Sequence, residues 1–297
     1  MEISSSTPIL TTSTYRGPDI QLTSTYDEIA ALSQQVLDLL AQEKIKLHRD
    51  SALAKLLREA KHQAATYRTN EPLADVEGLV RTAHANRVAS AILSVGLEPG
   101  ARECLRRMTS GTLDLSARTT SHGKDALWEI ELAYQLKRNG FKVEITEPDL
   151  VVDVFGERYP IACKKIYSPK GVEAQMRKGV KQLTNFGAPG LVAFNIDDLT
   201  PAHSIFVSPD ARVAGNHLAD MNRDFIDRHR RVFDRHVADG RCHGVLVTTN
   251  VVADLQQEKT RLNTYAQTTL WTLSMLHTPK SQAFHAVVAQ LQKNGGT

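Results

Sequence analysis

Residues 147–165, "EPDLVVDVFGERYPIACKK", decide how this chain is read. Two runs rich in Val, Ile and Tyr flank a Gly-Glu pair, the pattern of two short antiparallel strands around a tight turn. Strands are expected at Leu150–Phe155 and Arg158–Lys164, with Gly156-Glu157 as the turn. Phe155 then stands opposite Arg158, Val151 opposite Ala162, and Asp149 opposite Lys164. Opposed residues share a sheet face, so Asp149 and Lys164 point the same way. Such a pair admits two readings. One is a salt bridge across a hairpin. The other is a site in which the carboxylate holds a hard cation and the lysine orients an attacking water.

The flanking helices add to the second reading. A helix over Lys124–Arg138 is expected to stop at Asn139-Gly140. At 100° per residue, Glu131, Gln135 and Arg138 share a face expected to be wet, whereas Glu129 falls among Leu132, Ala133 and Leu136. A glutamate on an apolar flank needs a metal, a lysine or a backbone donor, or else snorkels to the helix edge. A second helix is expected over Val172–Phe186. Its buried stripe is Val172, Met176, Gly179, Val180 and Leu183, with Gln175 and Gln182 along one edge and Lys178 just outside. From Arg158 to Lys181 there are seven basic residues, Lys164, Lys165, Lys170 and Lys178 among them, against the single acid Glu173. That local imbalance suits a polyanion track. The segment has few aromatics, so stacking on single-stranded bases has little support.

These residues together resemble the PD-(D/E)XK nuclease superfamily. The resemblance rests on Glu129 in "WEIELAYQLKRNGF", Pro148-Asp149, Lys164 in "IACKK", and the helix "VEAQMRKGVKQL" with its glutamine. It covers about residues 122–196, and its motifs are short, so their order and spacing carry it. It implies an α/β restriction-endonuclease-like mixed sheet flanked by helices, and a Mg²⁺- or Mn²⁺-dependent endonuclease acting on DNA in restriction, phage defence or repair. Residue by residue it implies Asp149 as metal ligand, Lys164 as catalytic lysine and Glu129 as ancillary ligand. The expected nucleic-acid contacts are Lys165, Lys170, Gln175, Lys178 and Gln182. The chain departs from the superfamily at Ala162, where a second acid belongs. Glu129 is the preferred replacement. Asp153 is a poorer one, roughly 13 Å along the strand from Asp149. Glu147 and the carbonyl of Cys163 are further options. A non-catalytic DNA-binding or scaffold protein of the same fold, or a nuclease subunit completed by a partner, is the rival expectation.

Beyond this core, the 297 residues are 41% hydrophobic, enough to bury a core, and the net charge of +3 is too mild to demand a nucleic-acid partner by itself. Three widely spaced cysteines favour a reducing, cytoplasmic setting over a disulfide framework. No signal-peptide pattern opens the sequence and no stretch approaches the roughly 20 apolar residues of a membrane span. Cys242-His243 with His236 lacks the second ligand pair of a zinc site. Residues 1–20, rich in Ser and Thr, are expected to lack fixed structure. Residues 21–118 are expected to be all-helical. A capping box at Thr25 and Glu28 starts the first helix, a second begins near Asp50, and a third covers Leu73–Val95. The nuclease-like domain then occupies 119–297, and the helical region is expected to dock a second copy or a partner protein.

Overall fold

A computed structural model gives the fold and describes residues 10–69, 76–96, 98, 100–260, 262–275 and 281–294. Strands β1 (Leu10–Arg16) and β2 (Ile20–Leu22) come first. Four helices follow: α1 (Tyr26–Gln42), α2 (Ala52–Arg68), α3 (Val76–Val95) and α4 (Ala101–Ser110). Then come α5 (His122–Arg138), β3 (Lys142–Thr146), β4 (Asp149–Val154), β5 (Glu157–Lys165), α6 (Val172–Phe186) and β6 (Leu191–Asn195). The chain closes with β7 (Phe206–Ser208), α7 (Ala211–Ala238), β8 (Gly244–Leu255), β9 (Leu262–Met275) and α8 (Gln282–Asn294). The nine strands among the described residues form one sheet, in the order β1-β9-β8-β6-β5-β4-β3, with β2 on β9 and β7 on β8. It is mixed: β5, β6 and β8 run parallel, while β3-β4-β5 is an antiparallel meander. Among the described residues no helix is long and apolar enough to cross a membrane.

Local chemistry explains the element ends. Thr25 accepts from the Glu28 amide, and Glu28 accepts from the Thr25 amide at 2.7 Å, the capping box that starts α1. Ser121 caps α5 through the amides of Gly123 and Lys124. Gly187, at φ 89°, closes α6 in the left-handed conformation that glycine adopts at little cost. The expected third helix is present from Val76; residues 73–75 lie outside the described residues.

Two apolar layers cover the sheet. On one face Leu53, Leu57, Ile92, Leu105 and Met108 from the N-terminal helices pack with Trp128, Ile130, Leu150 and Leu191 in one cluster. The helices of 21–118 therefore share a core with the sheet. Trp128 is 1% exposed and its indole N–H donates to the Ala193 carbonyl at 3.2 Å, pinning α5 to the central strand. On the opposite face Met176, Val180 and Leu183 of α6 pack with Ala162, Val192 and Phe233.

Three expectations are corrected. Residues 10–16 are a strand, hydrogen-bonded from Leu10 opposite Met275 to Arg16 opposite Thr269, so the expected disorder fails there; residues 1–9 lie outside the described residues. The face of α5 holding Glu131 and Gln135 is dry, because α3 and β9 cover it: Glu131 pairs with Arg87, and Gln135 accepts a hydrogen bond from Thr268. The hairpin register also differs. Val154 stands opposite Glu157 and Leu150 opposite Ile161. The turn is Phe155-Gly156, with φ of 53° and 82°, the double left-handed geometry that matches the twist of the flanking strands. Asp149 consequently lies beside Ala162 rather than Lys164. The slip is two residues, so every side chain keeps its face.

Candidate functional site

Asp149 opens β4 where the meander meets α6, and three elements converge on its carboxylate. Oδ2 accepts from the Cys163 amide at 2.7 Å and from Lys164 Nζ at 2.9 Å, both on β5. Oδ1 accepts from Gln182 Nε2 of α6 at 3.2 Å, and that same amide nitrogen donates to the Pro148 carbonyl at 2.6 Å. Asp149 and Lys164 side chains are 14% and 11% exposed. A two-residue offset still lets the long lysine reach the aspartate diagonally, which is why their meeting survives the register correction. Gly179 lets α6 come this close: a Cβ there would lie 2.8 and 3.1 Å from the Val192 methyls.

Lys164 Nζ also donates to the Cys163 carbonyl at 2.6 Å. An ammonium thus bridges two hard oxygens, one ionised and one neutral. Nearby, Gln182 Oε1 is buried without a hydrogen-bond partner among the described residues. Asp149 and the Cys163 carbonyl are oxygens of the type a small divalent ion takes alongside water, and Lys164 Nζ stands on both. Mg²⁺ or Mn²⁺ held by these two oxygens would have to displace Lys164 Nζ from both. Among the described residues no three His, Cys, Asp or Glu side chains converge as a metal cluster, so such a site would rest on one carboxylate.

Glu129 lies close enough for Asp149 to perturb it, but both its oxygens are in use. Arg107 of α4 donates to Oε1 at 3.1 Å and also to Oε2, and Cys104 Sγ donates to Oε2 at 3.3 Å. Burial pushes the Glu129 carboxyl above the usual range; the Arg107 hydrogen bonds oppose this, and the charge of Asp149 adds to it. Burial, with the neighbouring carboxylate, likewise pushes the Cys104 thiol up to about 12. Glu129 is therefore clamped by an arginine rather than offered to a cation. Ala162, fully buried in the apolar layer under α6, explains why no acid stands there: a carboxylate would be desolvated among Met176 and Val192. Asp153 is spent in the turn, accepting from the Gly156 amide at 3.0 Å and from Lys142 at 3.4 Å.

The expected nucleic-acid contacts divide. Lys170 and Lys178 are exposed and Gln175 is half-buried along α6, whose one acid, Glu173, is taken by Arg235 of α7 at 3.0 Å. Gln182 belongs to the Asp149 site itself. Lys165 does not belong to the track. It points to the other face of β5, 7% exposed, and pairs with Asp198 at 2.7 Å.

Lys165 leads to a cluster that the sequence reading missed. At the carboxyl ends of β5 and β6, Asp198 also pairs with Lys124 of α5 at 2.7 Å. Alongside, Asp197 accepts from Arg87 of α3 at 2.6 Å and from the Asn250 amide of β8 at 2.7 Å, while Arg87 also holds Glu131. Tyr167 donates to Asp125 at 2.8 Å, and its ring lies 4.9 Å from Lys124 Nζ. Although burial itself opposes ionisation, Arg87, Lys165 and the Asn250 amide bring Asp197 down to about 2. The signal was two adjacent acids, Asp197 and Asp198, one residue past the fully buried strand "LVAFN". Set against protein families, curated proteins and solved structures, the chain finds no match in any of the three.

Proposed function

We propose that the chain is a restriction-endonuclease-like protein acting on DNA phosphodiesters at Asp149, Lys164 and Gln182. The observation that carries this reading is the convergence of those three side chains from β4, β5 and α6. The succession α5-β3-β4-β5-α6-β6, a helix, a meander, a helix and a parallel strand, supports the fold assignment. A divalent ion held by Asp149 and the Cys163 carbonyl would activate water and neutralise phosphate charge.

The chain's own groups divide the remaining work. Lys164, released from Asp149 Oδ2, presents an ammonium to the attacking water and to charge growing on the phosphate oxygens. Gln182 keeps Asp149 fixed through its amide. Arg107 clamps Glu129 beside the site and opposes the upward push that burial gives its carboxyl. The exposed lysines beside and along α6 supply phosphate contacts. A second reading, a DNA-binding or scaffold protein without catalysis, or a subunit completed by a partner, is favoured by the Arg107 clamp on Glu129 and the apolar seat of Ala162.

Plasmid and linear DNA incubated with Mg²⁺ or Mn²⁺ test the choice. Cleavage by the parent protein, lost in Asp149→Ala and in Lys164→Ala, is the expected result. Cleavage that both variants retain sinks the site. DNA binding with no cleavage selects the second reading.

A further inference from the structure

The basic face of α6 flanks Asp149 on one side of the sheet. On the other side, a groove of about 290 Å³ runs between the turn after α1 and helix α4. Its charged lining is Lys44, Lys46, Arg106 and Arg107 against one acid, Glu103. Lys44, Lys46 and Arg106 are exposed. Glu103 faces Arg106 at 3.7 Å with both side chains more than half exposed, so water screens that pair and it cancels little of the groove's charge.

Arg107 links the groove toward the candidate site. Arg107 lines the groove, and its guanidinium reaches Glu129 on α5. Glu129 in turn feels the charge of Asp149. A chain of phosphates leaving Asp149 on the α4 side therefore passes Arg107 first, then Arg106 and the two lysines.

Lys44 carries an independent mark. The last turn of α1 closes with the Ile45 amide on the Leu40 carbonyl at 2.8 Å and the Lys44 amide on the Ala41 carbonyl at 3.0 Å. That closure puts Lys44 at φ 53°, the left-handed position where glycine is the residue of least strain. Lys44 is held there at a conformational cost, and the closure fixes its backbone beside the three other cations of the groove.

We infer that this groove is the second wall of the nucleic-acid channel, binding the phosphate backbone where it leaves the Asp149 site on the α4 side. The inference rests on the DNA reading above. In it the N-terminal helices serve substrate binding, and Arg107 is a positioning residue that exchanges Glu129 for a phosphate when the backbone is seated.

Anisotropy of a fluorescein-labelled DNA duplex, titrated without divalent ion over a range of salt, tests it. The triple variant Lys44→Gln, Lys46→Gln, Arg106→Gln is expected to bind at least tenfold more weakly. Its slope of log affinity against log salt should be shallower by about two to three, close to one per lost phosphate contact. Lys44→Gly alone is expected to weaken binding while its melting temperature is equal to or above the parent's, which separates lost binding from lost fold. Parent-like affinity and slope in the triple variant, with binding abolished by charge removal at Lys170, Arg177 and Lys178, overturns the groove and leaves the site reading standing. A parent protein that binds no duplex overturns both.

Discussion

Replacing Asp197 by Asn perturbs a buried ion cluster and leaves side-chain volume nearly unchanged. Arg87 keeps Glu131 but loses its second carboxylate, and the Asn250 amide and side chain lose an ionised acceptor. Removing one member of a buried ion cluster costs about 3 kcal/mol, at the low end because Arg87 remains paired. The pH dependence follows from the carboxyl itself. Its ordinary value of 3.8 is brought to about 2 in the folded chain. The folded value lies below the unfolded one, so this contribution is complete above the unfolded value and disappears as pH falls through the folded value. At about 1.4 kcal/mol per tenfold, it is worth roughly 2 kcal/mol at neutral pH, and about 1 kcal/mol of it is lost by about pH 3. Urea unfolding of parent and Asp197→Asn proteins, from about pH 5.5 down to about pH 3, reads the difference directly. The gap should narrow by about 1 kcal/mol on acidification. A gap that stays constant or widens would show that Asp197 is not held ionised by Arg87, and the account of the cluster fails.

Two further outcomes concern geometry. Phe155 is 89% exposed at a left-handed position followed by Gly156, so Phe155→Asn should raise stability by about 1 kcal/mol, seen as a higher melting temperature; a lower one refutes the turn assignment. Gly179→Ala drives a methyl into Val192 and should destabilise by about 1–3 kcal/mol. In the same variant DNA cleavage or binding should fall as Gln182 is lifted from Asp149, and a variant matching the parent in both respects would show that α6 has slack against β6.

Local pattern carried the central region well and the periphery poorly. Helix α6 falls at Val172–Phe186 as its periodicity predicts, because each residue of its stripe meets the strands directly beneath. Asp149 and Lys164 meet because face assignment depends only on parity along the strand, which tolerates a two-residue slip. The slip itself was not legible: Gly156 announces a turn, but only the twist of the strands decides that Phe155 joins it. The burial of Glu131 and Gln135 was hidden for a different reason. Helical phase shows which residues share a face, not what packs on it, and α3 and β9 lie far away in sequence. The segment "LTTSTYR" is polar enough to pass for a tail; its order comes from backbone bonds to β9, which no local pattern encodes.

The partnership of β1 with β9 bears on how the protein can be shortened. Cutting away the Ser- and Thr-rich start, which its composition invites, would unzip a seven-residue strand from a fourteen-residue one. The β9 backbone from Thr269 to Met275 would then present a bare row of amides and carbonyls at the sheet's margin, a template for edge-to-edge pairing between molecules. In this chain residues 10–16 act as a selvedge, and a version trimmed of them should be lost to aggregation before any failure of its interior.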